Sequence, residues 1–145
     1  MSEGYGVTAT VAVISPSSPA PVPEYLSPEW FDAADELLRA DAGLRERSRG
    51  VRVVLQQTVI GDDDRSTTWH VVLDDGQVSL HAGPSERPDV AFTCDRETAE
   101  SVRRGERSAP NAFISGRLRM EGSAAALLEY ASVFSDLDDV LAPLR

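Results

Sequence analysis

The chain has no lysine: all 14 basic residues are arginine, set against 24 acidic residues for a formal net charge of -10. An acidic chain repels phosphate backbones, so nucleic acid is excluded as an expected partner. Basic residues drawn from arginine alone suggest a GC-rich, bacterial coding sequence. Cysteine is almost missing as well. A lone Cys94 cannot build a disulfide framework and matches a reducing compartment, which makes the cytoplasm the expected location. No stretch approaches the ~20 apolar residues of a membrane-spanning helix. The run from Val7 to Ile14 has no basic residue before it, as a secretory signal would. Glycine-rich phosphate loops are absent too, and with them the usual nucleotide cradle.

What is present suits one domain with a sizeable core: 145 residues, 41% hydrophobic and 26% charged. Residues 1–26 hold Gly4, Gly6 and a Ser/Pro tract from Ser15 to Pro23, with few large apolar groups. Such a stretch cannot offset its ordering entropy, so a disordered tail is expected there and a folded domain over residues 27–145. Ser27-Pro28-Glu29 has the order of a helix start, and Trp30, Ala34, Leu37 and Leu38 then share one face. Arg39, Arg45, Arg47, Arg49 and Arg52 follow. They suit a solvated helix end and loop or, alternatively, a rim that attracts a phospholipid or coenzyme A headgroup.

Strands are expected over residues 51–60, 66–74, 77–82 and 89–94, the middle two joined by the turn Asp74-Asp75-Gly76. Asp95 caps a second helix, which Gly105 ends. The segment from Gly105 to Phe134 then packs a short apolar helix around Ala112, Phe113 and Ile114, a strand, and a long closing helix into thirty residues. Alternation places Leu118 and Met120 on one strand face and Arg117, Arg119 and Glu121 on the other. Ser123 is placed to cap the closing helix, whose stripe is Leu127, Leu128, Ala131 and Phe134, continued by Leu137 and Leu141.

Candidate chemistry is sparse. His70 and His81 lie on the two arms of the predicted hairpin, opposite their strands' apolar sets, and no zinc spacing joins them to Cys94. Asp62, Asp63 and Asp64 are consecutive and cannot converge on one ion. Ser115 lies in Phe-Ile-Ser-Gly, without the first glycine of a nucleophile elbow. No catalytic residue, metal or cofactor is therefore expected, and the chain is not expected to be an enzyme. An apolar interior alone suffices for binding: about a dozen methylenes at about 0.8 kcal/mol each give ~10 kcal/mol gross, and a micromolar complex needs about 8 net. The same side chains would also make a filled core.

The run Gly105, Ala112, Phe113, Gly116, Arg117, Leu118, Arg119, Met120, Gly122 and Ser123 resembles the C-terminal half of the sterol-carrier-protein, or non-specific lipid-transfer, domain. Residues 69–78 resemble that family's strand–Asp-Gly–strand hairpin, and residues 88–93 its Pro-Asp strand. The likeness covers about residues 28–136. It implies an α+β fold: a five-stranded, mostly antiparallel, curved sheet with helices packed on one face, enclosing an apolar tunnel. It implies non-catalytic binding or transfer of a fatty acid, acyl-coenzyme A, sterol or phospholipid, with transient contact at a membrane surface. Phe92, Phe113, Leu118, Met120, Leu128, Ala131 and Phe134, taken from the apolar faces, are the expected lining. The alternative is an accessory module with a filled core that binds a bacterial enzyme, or a second copy of itself as a homodimer, through an exposed apolar strip.

Overall fold

The computed structural model describes residues 22–144, apart from the side chains of residues 109 and 110. Helix α1 (Pro28–Ala40) starts where the Ser27 hydroxyl accepts the Trp30 N–H, with Pro28 in the first turn. It buries Trp30, Ala34 and Leu38. Asp41 follows α1 and caps α2 (Ala42–Arg47), its carboxylate accepting the Leu44 N–H at 2.8 Å. That cap turns the stretch holding Arg45 and Arg47, expected as a solvated helix end and loop, into a second short helix.

Five strands follow: β1 (Arg52–Ile60), β2 (Ser66–Asp74), β3 (Gln77–Ala82), β4 (Val90–Asp95) and β5 (Leu118–Gly122). Their order in the sheet is β3-β2-β1-β4-β5, with β1 and β4 parallel and the other three pairs antiparallel. Between β4 and β5 lie α3 (Arg96–Arg103) and α4 (Ala109–Ile114), and after β5 come α5 (Ala124–Glu129), α6 (Ala131–Val140) and a 3-10 turn (Ala142–Leu144). The expected α+β class and the mostly antiparallel five-stranded sheet are both observed, and the sheet is open. Alternation works as the sequence implies: Val53, Val59, Trp69, Val71, Leu73, Val78, Leu80, Val90, Cys94 and Leu118 are buried on one phase of their strands.

Asp89 fastens the parallel pair. Its N–H donates to the Val54 carbonyl at 2.9 Å, and its carboxylate accepts the Val54 N–H at 2.7 Å. Its own carbonyl accepts the Ser123 N–H at 2.8 Å, so one residue ties β1, β4 and the far end of β5. Gly122 sits against it at φ +102°, where an added Cβ would strike the Asp89 carbonyl oxygen. Only glycine fits both demands.

One expectation changes shape. The closing helix is not continuous but breaks at Tyr130, whose φ of -107° and ψ of 17° leave the helical region. After the break Val133 joins the expected Leu137 on the buried stripe of α6, while α5 buries none of its residues. Tyr25 and Leu26, at the end of the expected tail, pack against the core; residues 1–21 of that tail lie outside the described residues.

Candidate functional site

The covered face of the sheet is built in cross-strand rows. Trp69, Gln57, Phe92 and Met120 stand side by side on β2, β1, β4 and β5. One flanking row is Val71, Leu55, Val90 and Gly122, and the other is Thr67, Val59, Cys94 and Leu118. Trp69, Val71, Val59, Val90, Cys94 and Leu118 are buried, whereas Leu55, Gln57, Phe92 and Met120 are only half-buried. The middle of this apolar face is therefore incompletely covered. The cause lies in the cover. Thirteen-residue α1 runs along β3, whereas β4 and β5 are met chiefly by the shorter helices α3, α4 and α5. Tyr130 and Phe134 pack against the same core from the C-terminal segment and are themselves half-buried.

Of the seven residues expected to line a ligand site, Phe92 and Met120 are direct cross-strand partners, and Leu118 is buried one position along, opposite Cys94. Phe134 joins the core from α6. Phe113 is 50% exposed and Leu128 79%, and Ala131 is also exposed. The strand residues thus form one neighbourhood, while α4 and the α5–α6 break hold the remainder at the surface.

Sequence reasoning passed over Gln57 as a site residue. Its signal was a single polar residue in the apolar phase of β1, between Leu55 and Val59. Its amide stands 3.8 Å from the Cys94 sulfur. Burial pushes the Cys94 thiol up to about 11, against the lesser lowering effect of the Gln57 contact. The thiol therefore stays protonated at neutral pH and is a poor nucleophile.

Tyr25 packs on the core at the Cys94 side. Its ring meets Trp30 edge-on at 5.1 Å and Trp69 at 6.4 Å, with the Arg103 guanidinium 4.6 Å from its centroid. Burial, and the Cys94 thiol after it, hold the Tyr25 phenol above its ordinary range.

The remaining candidates take structural places. His70 and His81 stack at 5.1 Å across β2 and β3; His70 Nδ1 is bonded to the Gly83 carbonyl and His81 Nε2 to the Ser79 hydroxyl. The Ser115 hydroxyl donates to the Ala112 carbonyl at 3.1 Å. Four arginines of the expected headgroup rim are paired: Arg39 with Asp35, Arg47 with Asp136, Arg49 with Glu46 and Arg52 with Asp74. Such pairing spends much of the rim's attraction for an outside anion. Two hollows are present, and the smaller reaches the flanking row of this sheet face at Val59 and Thr67. One of about 330 Å³ is lined by Arg45, Glu46, Arg49 and Asp75 among others. The second, of about 220 Å³, is lined by Leu26, Val59, Asp63, Arg65 and Arg96 among others. Neither contains any of the seven expected lining residues.

Similar architecture occurs in solved structures. A Thermus thermophilus protein described as possibly a sterol carrier protein matches with a TM-score of 0.70 and 21% identity, over 83% of this chain and 90% of its own. A crystal structure of sterol carrier protein 2 also gives 0.70, at 20% identity, over 84% of this chain and all of that one. The apo form of sterol carrier protein 2 from Yarrowia lipolytica gives 0.61 at 14% identity, over 75% and 89%. At these identities the likeness shows the fold alone. No curated protein matches the chain. Residues 34–135 match the model of the SCP-2 sterol transfer family, and the chain belongs to that family.

Proposed function

We propose that this protein is a non-catalytic carrier that binds one hydrophobic ligand, a fatty acid, acyl-coenzyme A, sterol or phospholipid, between its sheet and its C-terminal helices. Membership of the SCP-2 sterol transfer family supports lipid binding in general. The single observation that carries the finer reading is the half-buried group Leu55, Phe92 and Met120 between the buried residues Trp69, Val71, Val59, Val90, Cys94 and Leu118 of the sheet face. Apolar side chains in that position gain free energy when an acyl chain covers them, at roughly 25 cal/mol per Å².

Phe92, Leu118, Met120 and Phe134 are assigned to the inner lining, with Gln57 as the polar group that orients a ligand's oxygen. Phe113, Leu128 and Ala131 are assigned to the rim, which would close over the ligand as the short helices shift to open the tunnel. Cytoplasmic location belongs to the same proposal.

Native mass spectrometry of the bacterially expressed full chain, before and after organic extraction, tests it. A stoichiometric adduct lost on extraction supports the carrier. An adduct-free protein that takes up neither palmitate, palmitoyl-coenzyme A nor a sterol overturns it. The second reading, an accessory module with a filled core, would then take its place, because neither hollow contains an expected lining residue.

A further inference from the structure

An open sheet has two edges, and the two here are not alike. At the β3 edge the Leu80 N–H donates to the Asp35 carboxylate of α1 at 2.8 Å, and α1 runs along the strand. A helix side chain thus occupies the donor that a further strand would need. At the other end β5 pairs with β4 alone, and no backbone group of Leu118–Gly122 bonds outside that pairing among the described residues.

The register settles which groups of β5 face away from the sheet. The Ser123 N–H donates to the Asp89 carbonyl, and Gly122 lies opposite Val90. Bonded and unbonded pairs alternate along an antiparallel ladder, so Arg119 and Glu121 bond toward β4. The N–H and C=O groups of Leu118, Met120 and Gly122 point outward. The side chains alternate too: Leu118 and Met120 lie on the covered face, and Arg119 and Glu121 stand exposed on the other. Arg117 is drawn to an acid of its own chain, 3.9 Å from Glu97. Arg119 and Glu121 instead lie across from the uncharged Thr93 and Ala91, and neither forms an ion pair among the described residues.

We propose that two copies of this chain pair edge to edge through β5, antiparallel, about a two-fold axis at Met120. The segment Leu118-Arg119-Met120-Glu121-Gly122 is complementary to itself in that register. Met120 of the two copies meet, Leu118 of each lies opposite Gly122 of the other, and Arg119 of each lies opposite Glu121 of the other. The outward groups of Leu118, Met120 and Gly122 then complete a main-chain ladder, and both charge pairs across the seam are opposite in sign.

Charges on an edge ordinarily keep other strands away; these admit one partner in one register. Parallel addition in register would set Arg119 against Arg119. A slip of one residue would lay the charged phase of one copy against the apolar phase of the other. Two-fold pairing uses up both β5 edges and Asp35 blocks the β3 edges, so assembly stops at two. Ile114, 83% exposed, and Phe113 belong to α4, which packs against β5, and add apolar area at the same end of the molecule. One strand edge and two such side chains fall short of a permanent interface, so a dimer of micromolar strength is expected. The pairing holds whether or not the protein carries a lipid.

Sedimentation equilibrium of the full chain, with concentration raised through the micromolar range, tests it. Wild type should pass from monomer to dimer. Arg119→Glu and Glu121→Arg should each weaken the dimer at least about tenfold, because both pairs across the seam turn repulsive. An equal mixture of the two variants should regain the wild-type dimer, since the acids of one chain then face the arginines of the other. That recovery also shows that both edges are intact, and circular dichroism melts show that each variant is folded.

Wild type that stays monomeric throughout would overturn the proposal and leave the edge to a strand of another protein. Folded variants that dimerise as wild type does, or whose mixture stays monomeric, would overturn it by placing any contact elsewhere. Assemblies that grow past two would overturn the closed pairing. Lipid uptake is read separately by mass, so failure of the pairing and failure of the carrier are told apart.

Discussion

Where β2 and β3 lie beside α1, the buried set is Trp30, Ala34, Leu38, Trp69, Val71, Leu73, Val78 and Leu80. In α4, β5 and α5, among the described side chains, it is only Ala112 and Leu118, while Phe113, Ile114 and Leu128 stand open. Both regions have apolar sequence in similar supply. They differ in the length of the helix above the sheet and in how many rows of the sheet that helix can cover. A single amphipathic helix with a capped start closes one half, and several helices of six to ten residues leave the other ajar. Local stability follows buried contact density, so the open half is the one expected to open locally at lower cost.

The sharpest way to break this contrast is a pair of truncations. Leu38→Ala in the closed half should cost about 2–5 kcal/mol by urea denaturation, from lost transfer energy and the cavity left behind. Leu128→Ala should change stability by no more than ~0.5 kcal/mol. Comparable losses at the two positions would mean that the open half is closed in solution. Gly122→Ala comes next, at roughly 2–3 kcal/mol, because it combines a strained φ with a contact against the Asp89 carbonyl. Asp95→Ala should then cost about 1 kcal/mol, as the Asp95 carboxylate accepts the Thr98 N–H at 2.8 Å at the start of α3.

The smallest effect is a pH dependence. The folded Cys94 thiol titrates near 11 instead of its ordinary value near 9, so the native state holds this proton more tightly than the unfolded chain does. Stability from that difference is complete below about pH 9 and is lost as the pH rises toward 11. Thermal melts across that window should fall less steeply in Cys94→Ala than in the wild type. An unchanged slope would show that the thiol is more accessible than its 5% exposure indicates.

Much of the fold was legible because its signals are local. The Ser27, Asp95 and Ser123 caps, the Asp-Gly hairpin turn and the period-2 strands each depend on neighbours within four residues, and each stands where the sequence implies. The break at Tyr130 was not legible. No Pro or Gly marks it, and it is set by which side chains α6 can bury against the rest of the molecule, so Leu128 and Ala131 leave the expected stripe, Val133 enters it and Leu137 stays on it. The site was legible in part for the same reason. Strand alternation puts Phe92, Leu118 and Met120 on one face, but how far each is covered depends on helices remote in sequence. Gln57 escaped notice because only its cross-strand neighbours, Trp69 and Phe92, show that it stands in the middle of an apolar row.

The parallel pairing of β1 with β4 has a consequence for the order of folding. The strands β1, β2 and β3 are joined by short turns and can zip from neighbouring contacts. The Val54–Asp89 bonds instead close a loop of 35 residues, and that loop contains the whole β2–β3 hairpin. Loop-closure entropy places such a contact late, after the three-stranded unit is in place to receive it. Substitutions in β2 and β3 should accordingly slow refolding. Those at Asp89 or in β5 should mainly hasten unfolding, which makes β4 and β5 the first strands to leave the sheet when the molecule opens.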